Sequence, residues 1–398
     1  MGQQMALRWP SWQAQPAQDA WKQWTKDNMS QKIGQYRGES FCLEALEERQ
    51  LLAGWAPTAR VIDQDVAAKA FKKITGKGQT VAILDTGVDY NHPALGGQWG
   101  RTVIGGYDFV RNDNDPMDET GHGTMVAGMI AARAFTYGGY KYRGIAPGAK
   151  IVALRIEDNS DFLPDSRIEQ ALKWVISHQK QYNITAVNMS LGDGDYERKF
   201  TRGPYGDELS TLKKMGVFIT DASGNDGISS PGINYPAADP SVVGVGSVNG
   251  SDMISGFTSR AGDLDLLAAG DGVVAPSIAN GSHIYLKGNG TSFAAPAVAG
   301  AAMLLHQANP RLSATQILGI LKATASKNWD GDLEYPATYL TYKRLDLDNA
   351  IRSALSKKST RSRDSSRARP EAAQIVESPQ KKSELASLFN SENRITFA

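Results

Sequence analysis

Five short apolar runs constrain this chain more than any other feature: TVAILDTG (80–87), KIVALRI (150–156), ITAVNMSL (184–191), GVFITDAS (216–223) and SVVGVGSV (241–248). Each has strand length and is apolar almost throughout, as expected of strands buried on both faces of a parallel sheet. Helical patterns lie between them. Over 165–180, Ile168, Ala171, Leu172, Val175 and Ile176 recur at helical spacing, with Asp165 as the expected N-cap. Ser313 and Gln316 read as a capping box opening a further helix. Strands alternating with helices predict an α/β fold on a mostly parallel central sheet with helices on both faces.

Composition removes several function classes. The 398 residues carry a formal net charge of +1, so no strongly basic domain suggests a nucleic-acid partner. No stretch approaches about 18 uninterrupted apolar residues, so no membrane span is expected. The single Cys42 forbids an intrachain disulfide and a thiolate-rich zinc site. Composition also shifts at both ends. Residues 1–57 are rich in Trp and Gln, contain no apolar run like the core of a signal peptide, and stand apart as an N-terminal segment. The catalytic region is expected over 58–355, and 356–398, opening SKKSTRSRDSSRARPEAAQ, reads as a disordered basic tail.

Ligands of such sheets bind outside the carboxyl ends of the strands, so the residues following each strand matter most. Asp85-Thr86-Gly87 follows the first run, Ser190-Leu191-Gly192 the third and Gly224-Asn225-Asp226 the fourth. TGHGTMVAG places His122 where an apolar helix begins, and GNGTSFAAPAVAG does the same for Ser292. An acid, an imidazole, a hydroxyl and an amide are the groups that acyl transfer needs. A serine hydroxyl needs an adjacent base to act as a nucleophile, and histidine titrates nearest neutrality. A buried carboxylate, Asp85, would orient the ring; the Asn225 amide and the Ser292 N–H would face an oxyanion. No metal ligand set is expected.

The motifs VAILDTGVDYNHPAL, GHGTMVAG, NMSLG, ASGNDG and GTSFAAPAVAG resemble, in this order, those of the subtilisin-like serine proteases over about 58–355. The resemblance implies a three-layer fold and a serine endopeptidase with Asp85, His122 and Ser292 as its triad and Asn225 as oxyanion-hole residue. It implies that Ser190-Leu191-Gly192 and Ala222-Ser223-Gly224 flank an extended polypeptide substrate and puts Asp226 where relatives line the pocket; a carboxylate there reads either as a modest preference for basic residues or as part of a solvated acidic rim. The alternative reading is a catalytically silent module holding extended peptides in the same cleft. No organic cofactor is implied. A calcium loop of some relatives is matched by Asp108, Asp113 and Asp115, but Arg111 stands where they carry an acid, so calcium is not expected to be needed. Phe293 replaces the methionine that many relatives place after the nucleophile. FCLEALEERQLLAG (41–54) resembles a short export-associated motif and reads equally as an amphipathic helix; an extracytoplasmic monomer is the expectation.

Overall fold

The computed structural model describes residues 7–8, 54–158, 162–227, 232–331 and 337–367. The expectations placed on the N-terminal segment before residue 54 and on the tail beyond 367 therefore lie outside the described residues, apart from Leu7–Arg8. The chain divides into two compact units, Met1–Ser356 and Lys357–Ala398.

The central sheet of the first unit is formed by β1 (Thr80–Asp85), β2 (Val103–Asp108), β3 (Lys150–Arg155), β4 (Ile184–Met189), β5 (Phe218–Ala222), β6 (Val243–Val248), β7 (Leu266–Ala269), β8 (Ser326–Trp329) and β9 (Thr341–Arg344). Their spatial order is β8-β9-β7-β6-β5-β4-β1-β3-β2, parallel except for the antiparallel edge pair β8–β9. All five expected strands are present within their apolar runs. Four were not legible as such runs. β2 (VIGGYD) is interrupted by a glycine pair, and β7, β8 and β9 have only four residues each.

The helices are α1 (Pro57–Arg60), α2 (Gln64–Ala70), α3 (His122–Ala131), α4 (Asp165–Tyr182), α5 (Gly206–Lys214), α6 (Thr291–Ala308), α7 (Ala314–Thr324) and α8 (Leu347–Arg367). Side-chain alternation along β1 assigns them to two faces. Val81 and Ile83 join the core cluster built with α3, α6, α7 and the start of α8, whereas Ala82 and Leu84 join the one built with α4 and α5. The result is the three-layer α/β arrangement expected from the sequence. Helix α6 is apolar all round and buried along nearly its whole length, as a helix enclosed in a core must be.

Two local differences have physical reasons. Pro164, not Asp165, occupies the N-cap of α4; its ring favours the extended entry (φ −74°), and Asp165 moves into the first turn, where its charge complements the helix dipole. The capping box of α7 is formed by Ser313 and Gln316 as read. Helix α8 continues through residue 356 to Arg367, where composition alone suggests an unstructured tail. Leu347, Ala350, Ile351 and Ala354 bury its first turns, and no Gly or Pro interrupts the sequence before Pro370.

Candidate active site

The carboxyl edge of β1 supplies the first group. Asp85 is buried, its Oδ1 accepts the Thr86 N–H at 2.8 Å, and the same oxygen lies 2.7 Å from Nδ1 of His122. A carboxylate only accepts, so the ring donates from Nδ1 and keeps Nε2 as its basic nitrogen. Burial acts most strongly on the imidazole and opposes its charge. The charge and hydrogen bond of Asp85, reinforced by Glu157 and Asp118, more than reverse this and push His122 up to about 9.

His122 opens α3 after Gly121, whose φ of +96° is a left-handed conformation that glycine adopts without strain. At Gly123 a Cβ would stand 2.0 Å from the Gly87 carbonyl oxygen and 3.0 Å from Asp85 Oδ1. Only glycine lets the helix come close enough for the aspartate–histidine pair to form.

Sequence reasoning missed the residue that fixes this turn. Asp118 is buried and accepts six hydrogen bonds: from the Thr120, Gly121 and Thr124 N–H groups, and from the hydroxyls of Thr86, Thr120 and Thr124. It thereby satisfies donors around the start of α3 and ties that helix to the turn after β1. The available signal was an acid four residues before His122, in front of an apolar helix. Gly121 at the N-cap hid it, because the cap comes from outside the usual position.

Ser292 is the second residue of α6. Its hydroxyl donates to the Ser190 carbonyl at 3.4 Å, and no hydrogen bond joins it to His122 in this structure. Pro296 lies inside the helix and has no N–H to offer the Ser292 carbonyl, the usual i to i−4 partner. The Ser190 hydroxyl donates to that carbonyl instead, at 2.8 Å. Phe293 is buried, its ring 5.7 Å from that of His122.

Asn225, exposed beyond the end of β5, is oriented from the same helix. Its Oδ1 accepts the Thr291 N–H at 2.9 Å and the Thr291 hydroxyl at 3.0 Å, so the amide nitrogen is the end left for another acceptor. The Ser292 N–H lies in the first turn of α6, where backbone donors lack intrahelical partners.

Leu191 and Gly192 continue past β4, while Ala222 ends β5 and runs on through Ser223 and Gly224. The second stretch is tied in: the Ser223 carbonyl accepts the Asn234 N–H at 2.9 Å, and Gly224 donates to the Thr291 hydroxyl at 3.2 Å. Asp226 is exposed, its N–H donating to the Ser259 hydroxyl at 3.0 Å. The acid buried in this region is Asp221, whose Oδ1 accepts the Leu191 N–H at 3.5 Å and whose carboxyl is held well above the usual carboxylate range by burial.

The acids of the 108–119 loop are engaged by arginines. Arg155 donates to Asp108 and Glu119, at 2.9 Å each, and Nη2 of Arg111 donates to both Glu119 oxygens, at 2.6 and 2.8 Å. Asp108 Oδ1 accepts the Val110 and Arg111 N–H groups, so both of its oxygens are used. Arg111 thus pairs with Glu119 rather than with Asp113 or Asp115, and Arg155 is the residue that takes Asp108. A calcium ion needs about six to eight oxygens, and this donor set does not fit one.

Comparison with known proteins points to one family. The model of the Subtilase family matches residues 76–362. Subtilisin E of Bacillus subtilis is 35% identical over 260 residues, covering 63% of this chain and 61% of that protein. The cell wall-associated protease of the same species is 36% identical over 246 residues, 62% of this chain and 25% of that one. Among solved structures, a cold-adapted subtilisin-like serine proteinase superposes with a TM-score of 0.55 at 32% identity, covering 69% of this chain and 90% of its own. A protease of Pseudoalteromonas arctica gives a TM-score of 0.60 at 26% identity, covering 72% and 93%. The chain spans 61% of the length of the subtilisin precedent. With its family match running from the turn before β1 into α8, the chain belongs to the Subtilase family.

Proposed function

We propose that this chain is a serine endopeptidase that hydrolyses polypeptides through an acyl-enzyme on Ser292. The observation that carries the reading is the 2.7 Å contact between Asp85 and His122 at the rim where α6 begins with Ser292. In the reaction, the Ser292 hydroxyl turns from the Ser190 carbonyl to Nε2 of His122, which takes its proton as the oxygen attacks the scissile carbonyl. Reorientation of this kind is ordinary, since catalytic hydrogen bonds are often long or misaligned without substrate. The Asn225 amide and the Ser292 N–H receive the oxyanion. His122⁺ then protonates the leaving amine, and water repeats the sequence to free the acid.

Ser190-Leu191-Gly192 and Ala222-Ser223-Gly224 are assigned to flanking the extended substrate, an arrangement in which main-chain pairing gives affinity largely independent of side chains. No organic cofactor takes part, and the arginines holding Asp108 and Glu119 make calcium unnecessary there. An extracytoplasmic site of action is in keeping with the cell wall-associated relative. No described helix is long and apolar enough to cross a membrane.

The test is covalent labelling with a fluorophosphonate probe. Wild type should be labelled, with Ser292→Ala and His122→Ala unlabelled though folded. A wild-type chain that is folded but neither labelled nor active on denatured casein would support the silent peptide-binding module instead.

A further inference from the structure

Two polar side chains interrupt an apolar face of the sheet, and the mechanism above leaves both unused. Asn188 on β4 and Thr220 on β5 are partners across the parallel ladder. Strand alternation puts them on the face of Ala186 and Phe218, which join the core cluster built with α6. Neither has any exposure to solvent. Burying an amide and a hydroxyl costs stability unless both are hydrogen-bonded, and apolar residues would pack this face at no such cost.

The bonds they make lead to Ser292. The Thr220 hydroxyl lies 3.0 Å from Oδ1 of Asn188, and Nδ2 of Asn188 lies 3.0 Å from the Ser190 hydroxyl oxygen. That hydroxyl in turn lies 2.8 Å from the Ser292 carbonyl. The last acceptor sets the direction of the whole chain. A carbonyl cannot donate, so the one proton of Ser190 goes to it, and the Ser190 oxygen can only accept from Asn188. The amide NH2 must therefore face Ser190, which leaves the amide oxygen to accept from Thr220. The Val187 carbonyl, 3.4 Å from the Thr220 hydroxyl, is the weaker competitor for that proton. Without the amide, the Ser190 hydroxyl is free to turn from a carbonyl for which Pro296 offers no helical donor.

We propose that Asn188 is a positioning residue: by donating to the Ser190 hydroxyl, it commits that group's proton to the Ser292 carbonyl and holds the turn that presents the Ser292 hydroxyl. The proposal rests on the peptidase reading above. It adds a residue buried beneath the site, with no surface for a substrate to touch.

The experiment is a double-mutant cycle between Asn188 and Ser190 in the full chain, read as kcat and KM on a fluorogenic peptide and as Tm. Asn188→Ala removes the amide, and Asn188→Leu removes it with the volume nearly kept. Both should lower kcat by about tenfold and leave KM within about twofold of wild type. In a Ser190→Ala background neither should lower kcat further, because the hydroxyl through which Asn188 acts is gone. Losses that add to that of Ser190→Ala overturn the proposal, as does wild-type kcat in a folded Asn188→Leu. Failure of both variants to fold also overturns it, since the amide would then serve the fold and not the turn. A wild type that is folded but neither labelled by the probe nor active would overturn the peptidase reading itself, and this proposal with it.

Discussion

The Ser190 hydroxyl donates to the main-chain carbonyl of Ser292, an oxygen that Pro296 has left without its helical donor. The proline therefore makes the Ser292 peptide group depend on a neighbouring strand. In return, the Ser292 hydroxyl rests against the Ser190 carbonyl. Two reciprocal bonds thus join the end of β4 to the first turn of α6.

This relationship predicts a specific rescue. Ser190→Ala leaves a buried carbonyl unsatisfied, which costs about 1–3 kcal/mol, and it frees the first turn of α6 to shift. Thermal melts and peptidase assays should show a lower Tm and roughly tenfold lower kcat. Adding Pro296→Ala restores an N–H at the position able to reach the Ser292 carbonyl, so the double variant should recover part of both losses. Strictly additive effects in this double-mutant cycle would show that the two residues are not coupled.

The aspartate–histidine pair makes rate and stability depend on pH in opposite directions. His122 is raised from its ordinary value of 6.5 to about 9, so its pairing stabilises the fold fully below about 6.5 and that stabilisation is lost as pH rises through about 9. Catalysis needs the neutral ring, so kcat/KM should climb over the same interval and level off above about 9. Asp85→Asn removes the charge that sustains the shift and leaves the tautomer uncontrolled. It should move the midpoint of the profile to lower pH and cut kcat about 10,000-fold. A wild-type profile already level at pH 7 would contradict the assigned pairing.

Asn225 and Thr291 should behave as a donor and its support. Asn225→Ala removes the proposed oxyanion donor and is expected to lower kcat about 100- to 1000-fold, with KM and Tm nearly constant. Thr291→Val keeps the N–H bonded to Asn225 Oδ1 but deletes the hydroxyl contact, so a milder loss of roughly tenfold is expected. If Thr291→Val cost as much as Asn225→Ala, the threonine would be acting on more than the amide's orientation.

The legible parts of the fold and site were those written in contiguous residues. Buried strands such as TVAILD announce themselves because both faces are apolar, and the triad candidates sit in glycine-bearing motifs at strand and helix ends. What escaped was set by tertiary contact. β7 and β9, of four residues each, are strands because they complete the parallel ladder beside β6. Asp118 gained its role from the approach of Thr86, 32 residues earlier in the chain. The partner of Arg155 could not be read locally either, since Asp108 lies 47 residues away on the neighbouring strand.

That last pair carries the prediction about metal. Arg155 and Asp108 are both buried on adjacent strands, 2.9 Å apart, and Arg155 also reaches Glu119 just before the His122 turn. A guanidinium here does the neutralising that a bound cation would otherwise do, so excess EDTA should leave Tm and kcat/KM unchanged to within error. A drop of several degrees on chelation, reversed by calcium, would refute this. Arg155→Ala should be severe, because it strands the Asp108 carboxylate in the core, at an expected cost of about 3–5 kcal/mol. Arg155→Ala combined with Asp108→Asn should recover much of that loss, since the amide carries no charge to compensate. If the double variant were no more stable than Arg155→Ala, the cost would come from lost packing of the arginine stem and not from an abandoned charge.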